Sequence, residues 1–315
     1  MQYRTLGKTG LKVSLVSYGS GGPSKLGQNT GLSSTEQDDL VQHCLDVGIN
    51  LFDTSEAYGD SEEILGRTFA NSRAPRDSYI LATKCRYKSG GKLRSVADIE
   101  DSINNSLRRL QTDCIDIMQF HVLNSADYFD VVDQHYPVLA RAREQGKIRF
   151  IGFSEHFKGE GDHKSVTVAL KSNPELWDTI MLKYGILNMY ADKEALPLAV
   201  EHNVGIINMA VIRVKLPNPE LLQEQIATWK AAGKIKSDDL PDVDPLGWLV
   251  HDEVNSIVDA GYKFAAGHPA ISTVLTGTSS VKHMDDNVRA LEDATLPEED
   301  RDRLHQVFGD IDEYI

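Results

Sequence analysis

Asp53, Tyr58, Lys84 and His121 are the residues of this sequence whose types and spacing suit proton transfer. Asp53 and Tyr58 share the stretch NLFDTSEAYGDSEEILG at 50–66. Leu51 and Phe52 make 50–54 a short buried strand with a carboxylate at the end where the chain turns out, and a buried carboxylate needs a partner. A polar turn carries Tyr58, and Gly59 with Asp60 bends the chain before a helix at 62–70, so the phenol sits on the rim of a strand end. A free tyrosine titrates near ~10, and a phenol that gives up its proton near neutral pH needs a positive charge beside it. Lys84 in YILATK supplies that charge, and Asp53 would hold the ammonium in a buried, hydrogen-bonded pair. His121 in DIMQFH could donate a hydrogen bond to a carbonyl oxygen and orient it toward a hydride donor. No side chain delivers hydride, so the cluster implies a nicotinamide cofactor.

Elements far apart in sequence must bring these residues together. A hairpin over 3–6 and 11–14 opens the chain and would close one end of the fold. Strands are then predicted at 15–18, 50–54, 79–84, 115–121, 149–154, 179–184, 204–209 and 272–277. Helices alternate with them at 35–47, 62–70, 96–110, 133–144, 164–171, 194–201 and 281–292. Eight apolar strands in alternation suit a parallel (β/α)8 barrel better than an open doubly wound sheet, in one domain spanning 1–315. A long insertion after the seventh strand, 212–264, breaks the regularity and contains Trp229 and Trp248; such insertions carry specificity. Barrels of this class place their sites at the carboxyl ends of the strands, where Asp53, Lys84 and His121 each finish one.

The chain has 315 residues, 41% hydrophobic and 25% charged, which is ordinary for a globular protein with a sizeable core. Its formal net charge of -14 disfavours nucleic acid and anionic membrane surfaces as partners. Cys44, Cys85 and Cys114 have no metal-ligand spacing, and their odd number argues against a disulfide framework. With no signal-like or membrane-length apolar run, a cytoplasmic location is expected.

The pattern D-T-S-E-x-Y-G, followed in order by Lys84, His121, GFSEHF at 152–157 and GTSSVKHMDDN at 277–287, resembles the aldo-keto reductases over nearly the whole chain. The resemblance implies NADP(H) as cofactor, with NAD(H) possible, and a small-molecule carbonyl or sugar as substrate. The cofactor would lie across the strand ends, its nicotinamide near Asp53 and Tyr58. Ser154 and Glu155 would meet the carboxamide, with Glu155 standing where the family often has Asn and Met181 where it has Gln. Met209, which is otherwise a core methionine, would pack the ring, and Val211 is a further candidate. Gly277, Ser279, His283 and Asn287 would surround the adenosine, aided by Ser280, Lys282 and the opening of the last barrel helix. Gly277 and His283 stand where strongly NADP(H)-preferring members carry Lys and Arg. The expected NADP(H) preference is therefore modest and rises as His283 protonates. Ser20 and Gly21, in the GSGG loop at 19–22, either face the cofactor or form a plain turn, because the loop lacks the G-x-G-x-x-G spacing.

Substrate selection falls to 122–132, 212–264 and the tail, with Tyr128, Phe129, Trp229 and Tyr314 as candidates. Cys85 should point away from Lys84 as a buried thiol, and His202, His251 and His305 read as surface or capped histidines on helices, with no metal site. Two other functions fit the same residues. Lys84 could form a Schiff base in a lyase, or the chain could be a non-enzymatic, cofactor-binding auxiliary subunit.

Overall fold

The computed structural model describes every residue except Phe157, Arg213, Glu253, Ala294, Tyr314 and Ile315. The chain opens with a hairpin of β1 (Tyr3–Thr5) and β2 (Lys12–Ser14), followed by β3 (Val16–Gly19), α1 (Ser34–Asp46), β4 (Leu51–Asp53), α2 (Ser61–Asn71) and β5 (Ile80–Cys85). A small hairpin of β6 (Lys88–Ser89) and β7 (Lys92–Leu93) precedes α3 (Val96–Arg109) and β8 (Ile115–Leu123). Next come α4 (Tyr128–Gln134), α5 (Tyr136–Glu144), β9 (Ile148–Glu155), α6 (Lys164–Ser172), β10 (Thr179–Lys183), α7 (Ala195–Glu201) and β11 (Gly205–Met209). The chain finishes with α8 (Pro219–Ala231), α9 (Ile257–Gly267), β12 (Ile271–Thr276), α10 (Val281–Ala290) and α11 (Glu298–Phe308). Strands β3, β4, β5, β8, β9, β10, β11 and β12 pair in parallel and close on themselves, which is the expected (β/α)8 barrel. Among the described residues no helix is long and apolar enough to cross a membrane.

Strand periodicity explains how the barrel is filled. Outward residues such as Tyr18, Phe52, Phe120 and Phe153 join the large core under the helices. Inward residues Leu51, Ile80, Ala82, Ile117, Met181 and Ile207 form a second, smaller core inside the barrel. Leu6 and Val13 of the hairpin belong to that inner core, so the hairpin stops the amino-terminal end. Its fit depends on Gly7, at φ +48, where an added Cβ would lie 2.2 Å from the Gly205 nitrogen. Lys8 N–H donates to the Asn203 carbonyl at 2.7 Å, and the Arg4 guanidinium donates to the Ile271 carbonyl at 2.7 Å. At the other end, the inward faces of β4, β5, β8, β9 and β11 finish in polar or sulfur-bearing residues: Asp53, Lys84, His121, Ser154 and Met209.

Several expectations need correction. The predicted helix at 133–144 is two helices that meet at His135. Pro137, in the first turn of α5, has no N–H for the Asp133 carbonyl and its ring crowds that carbonyl, so one continuous helix cannot form. The stretch 122–132 is consequently not all loop, because α4 begins at Tyr128. That tyrosine is fully buried, its hydroxyl accepting from the Trp177 indole at 3.0 Å. Trp229 is also fully buried, on α8, and its indole donates to Glu313 at 2.8 Å. Neither selects substrate directly. The insertion at 212–264 contains α8 and most of α9, which packs on β12 as the barrel's seventh helix. His251 lies on no helix and bridges Asp252 and Asp300. Tyr314 and Phe157 lie outside the described residues.

Candidate active site

Register brings Asp53 and Lys84 together. Asp53 pairs with Ala82 across β4 and β5, so Lys84 is two residues further up on the same inward face. Its Nζ donates to both Asp53 oxygens at 2.6 Å and to the Thr54 carbonyl at 2.8 Å, with lysine and aspartate both buried. Burial pulls the Lys84 ammonium down, but the Asp53 charge and hydrogen bond, with a contribution from the Tyr58 phenol, carry it above its ordinary value. Burial pushes the Asp53 carboxyl up against the pull of Lys84. These two directions oppose each other within one pair. The contact lengths decide for the charged pair, since 2.6 Å to both oxygens is the spacing of charge-assisted hydrogen bonds.

Tyr58 reaches back over this pair from the loop after β4. The Lys84 Nζ lies 5.1 Å from its ring centroid, and its hydroxyl is 3.3 Å from His121 Nε2. Gln28, which sequence pattern does not single out, fixes the loop: its amide donates to the Tyr58 carbonyl at 3.1 Å and accepts from Asp60 N–H at 2.9 Å. Gly21 makes room for the phenol, because a Cβ there would lie 2.3 Å from the ring.

His121 stands at the end of β8, where the register with β9 shifts between Phe120 and Leu123. The next residue, Val122, has φ 64. For a β-branched residue this is a strained conformation, at a cost of roughly 1 to 3 kcal/mol. It is held by Ser154 Oγ, which accepts Val122 N–H at 2.9 Å, and by the Tyr87 hydroxyl 3.3 Å from its carbonyl. The bulge aims the imidazole at Tyr58, with ring centroids 5.4 Å apart and planes at 82°. Its other nitrogen, Nδ1, is 3.1 Å from Ser55 Oγ. Burial, with the positive charges of Lys84 and Arg86, lowers His121 to about 3, so the ring is neutral across the physiological range.

A cavity of about 310 Å³ opens beside Asp53 and Tyr58, with Met181, Met209 and Val211 on its apolar wall. A second, of about 830 Å³, runs along α9 and α10 and includes Gly277, His283 and Asn287. Ile212, Pro217, Tyr262 and Gly277 line both, so the two form one trench from the tetrad to α10. A long apolar-to-polar trench with glycines on its wall fits an extended dinucleotide. Of the residues predicted from the sequence, Gly21, Asp53, Tyr58, Met209, Val211, Gly277, His283 and Asn287 line it. Ser20, Ser154, Glu155 and Ser279 do not. Ser20 is buried behind the loop, and Ser154 carries the Val122 bulge. Glu155 accepts from Lys183 N–H at 2.7 Å and pairs with buried His163 at 2.8 Å. Ser280 caps α10 by accepting His283 N–H.

Sequence pattern misses Tyr262 and Lys263 on α9, and also Asp286 and Arg289 on α10, all of which line the trench. Asp286 stands three residues after His283 and Arg289 three after Asp286, so helical spacing from His283 is the signal that finds them. For the α9 pair there is none. Cys85 is buried with its thiol toward the Gln119 carbonyl, and burial pushes it up. Among the described residues no group of three or more His, Cys, Asp or Glu could hold a metal ion.

Comparison with known proteins agrees with this geometry. A family model described as the aldo/keto reductase family matches residues 19–308. L-galactose dehydrogenase from Arabidopsis thaliana is 31% identical over 98% of this chain and 93% of its own length. A probable voltage-gated potassium channel subunit beta from the same plant is 24% identical, covering 93% of this chain and 92% of its own. An aldo-keto reductase from Bacillus halodurans, solved in its holo form, superimposes with a TM-score of 0.71 at 25% identity, over 97% of this chain and 96% of that one. A closed eight-stranded barrel, a strand-end cluster of Asp53, Tyr58, Lys84 and His121, and a family match from β3 to α11 lead to one conclusion: the chain belongs to the aldo/keto reductase family of oxidoreductases.

Proposed function

We propose that this protein interconverts a small-molecule carbonyl and its alcohol by hydride transfer, using NADP(H) or NAD(H), with Tyr58 giving and taking the proton. The observation that carries this is the placement of the Tyr58 hydroxyl, on the trench wall, between the Lys84 ammonium and neutral His121. When bound, the nicotinamide supplies the hydride. Met181, Met209 and Val211 are placed to pack its ring, and Gly277, His283 and Asn287 to hold the adenosine end. Lys84 favours the phenolate left after proton transfer, and Asp53 keeps that ammonium charged and in place. Asp286 lines the adenosine end with His283, and its carboxylate, which occupies Arg289 at 3.0 Å, would oppose a 2′-phosphate. The preference for NADP(H) over NAD(H) is accordingly small.

The likeness to L-galactose dehydrogenase favours an aldose as the substrate that gives up hydride. A Schiff-base lyase is disfavoured, because a nucleophilic amine must be neutral whereas Lys84 is held as an ammonium. The complete proton-transfer cluster makes a purely auxiliary-subunit role the weaker reading, although a channel subunit beta is among the relatives. The test is a panel of aldehydes, ketones and aldoses followed by nicotinamide absorbance, in wild type and Tyr58→Phe. Turnover is expected to drop at least ~10²-fold in the variant, the low end for general acid catalysis, with cofactor affinity by fluorescence titration retained. Near-normal turnover of Tyr58→Phe would remove the phenol from the mechanism.

A further inference from the structure

We infer that Ser55 is a positioning residue that fixes the His121 proton on Nδ1, and so makes Nε2 the acceptor of the Tyr58 hydroxyl. The catalytic consequence rests on the proposed role of Tyr58, whereas the hydrogen bonds do not.

Ser55 is fully buried behind the cluster. Its Oγ has three polar neighbours: Ala57 N–H donates to it at 3.2 Å, the Lys84 carbonyl lies at 3.3 Å and His121 Nδ1 at 3.1 Å. A hydroxyl offers one proton and two lone pairs. Ala57 N–H occupies one lone pair. The Lys84 carbonyl can only accept, so it takes the Ser55 proton, and the remaining lone pair faces Nδ1. That nitrogen must therefore carry the ring proton. A neutral imidazole has one such proton, which leaves Nε2 bare to accept from the Tyr58 hydroxyl. The reverse arrangement turns the Ser55 proton onto Nδ1 and puts the ring proton on Nε2. It gives up the bond to the Lys84 carbonyl and leaves a buried serine lone pair unused, so it makes one hydrogen bond fewer.

The consequence concerns where the phenol proton points. With Nε2 accepting, the Tyr58 proton lies along the line to His121 and an oxygen lone pair faces the Lys84 ammonium. A carbonyl oxygen that takes the place of Nε2 receives that proton directly. In this state Nε2 holds the proton ready on Tyr58, and the donation to a carbonyl expected from the sequence would take the other tautomer. Ser55→Ala frees the ring to carry its proton on Nε2. That N–H would then donate to the tyrosine oxygen and favour phenolate.

Nitrogen-15 NMR of histidine-labelled protein tests this, with the His121 signal assigned by its loss in His121→Asn. The expected result is an Nδ1–H ring in wild type, an Nε2–H ring in Ser55→Ala and recovery of Nδ1–H in Ser55→Thr. In steady-state reduction, the alkaline limb of kcat/KM should move to lower pH by about one unit in Ser55→Ala and return in Ser55→Thr. An Nε2–H ring in wild type overturns the inference, even if Ser55→Ala fails to fold, and so does an unchanged tautomer in a folded Ser55→Ala. Full turnover by Tyr58→Phe, with the tautomer change still present, would sink the catalytic role of the phenol while supporting the proton assignment.

Discussion

Lys84 is fully buried, and its charge is compensated by Asp53, the Thr54 carbonyl and the Tyr58 phenol. Lys84→Met removes the charge that stabilises phenolate and strands the Asp53 carboxylate. Breaking a buried pair from one side costs about 3 to 5 kcal/mol, so both turnover and the urea midpoint should fall. Asp53→Asn keeps an acceptor at the same place and should be milder on stability. A Lys84→Met protein that unfolds at the wild-type urea concentration would show that the pair contributes nothing. His121 gives a prediction of opposite kind. Its folded value of about 3 lies below the ordinary histidine value, so the fold favours the neutral ring. Its share of stability is whole above about 6.5 and is lost as pH falls toward 3. Between about pH 5 and 7 the kcat/KM profile should therefore have no limb that disappears in His121→Asn. Such a limb, present in wild type and absent from the variant, would mean that the imidazole titrates in that range.

Among the elements, β9, β10 and α6 are joined by Glu155, whose carboxylate takes Lys183 N–H from one neighbour and the His163 imidazole from the other. Burial works against the charged His163 ring, but the Glu155 charge raises it above its ordinary value. That contribution to stability is whole below about 6.5 and is lost as pH rises through the raised folded value. Glu155→Gln should cost about 3 kcal/mol at pH 6, and the gap from wild type should narrow by pH 9, as measured by urea unfolding at both. A gap that is constant with pH would mean the histidine is neutral throughout. This clasp was not legible in the sequence, since it depends on His163 in a left-handed conformation at the start of α6, with no periodicity to announce it. The strands were legible because buried parallel strands are apolar runs between turn signals, and the tetrad because each strand-end residue follows from an inward alternation of period two. Helix α4 and the burial of Tyr128 were hidden because YFDVVDQ makes only about two helical turns, too short for periodicity to separate a helix from a loop.

Across the whole molecule the trench draws its walls from Gly19 through Asp293, so it exists only when the barrel is closed. Its acidic end along α10, where the proposed cofactor would put its adenosine, gives one further expectation. Asp286→Asn should raise the ratio of kcat/KM for NADP(H) to that for NAD(H) about two- to five-fold, the scale of a partly exposed charge pair. An unchanged ratio would place the 2′-phosphate away from that carboxylate. At the opposite end sits the β1–β2 stopper, which is made before the strands of the barrel it closes. Its seat is the Asn203–Gly205 turn and the Ile271 carbonyl, and translation at about 5–20 residues per second makes the hairpin wait roughly ten to forty seconds for the turn and longer for the carbonyl. During that interval Leu6 and Val13 have no core to enter. Ribosome-arrested chains ending before residue 203 should be cut by protease within the first fourteen residues, whereas the released protein is protected there. Equal protection of both would mean the hairpin finds another shelter first. The hairpin that precedes the barrel in sequence is thus among the last parts to be seated, and it is the segment most in need of a chaperone.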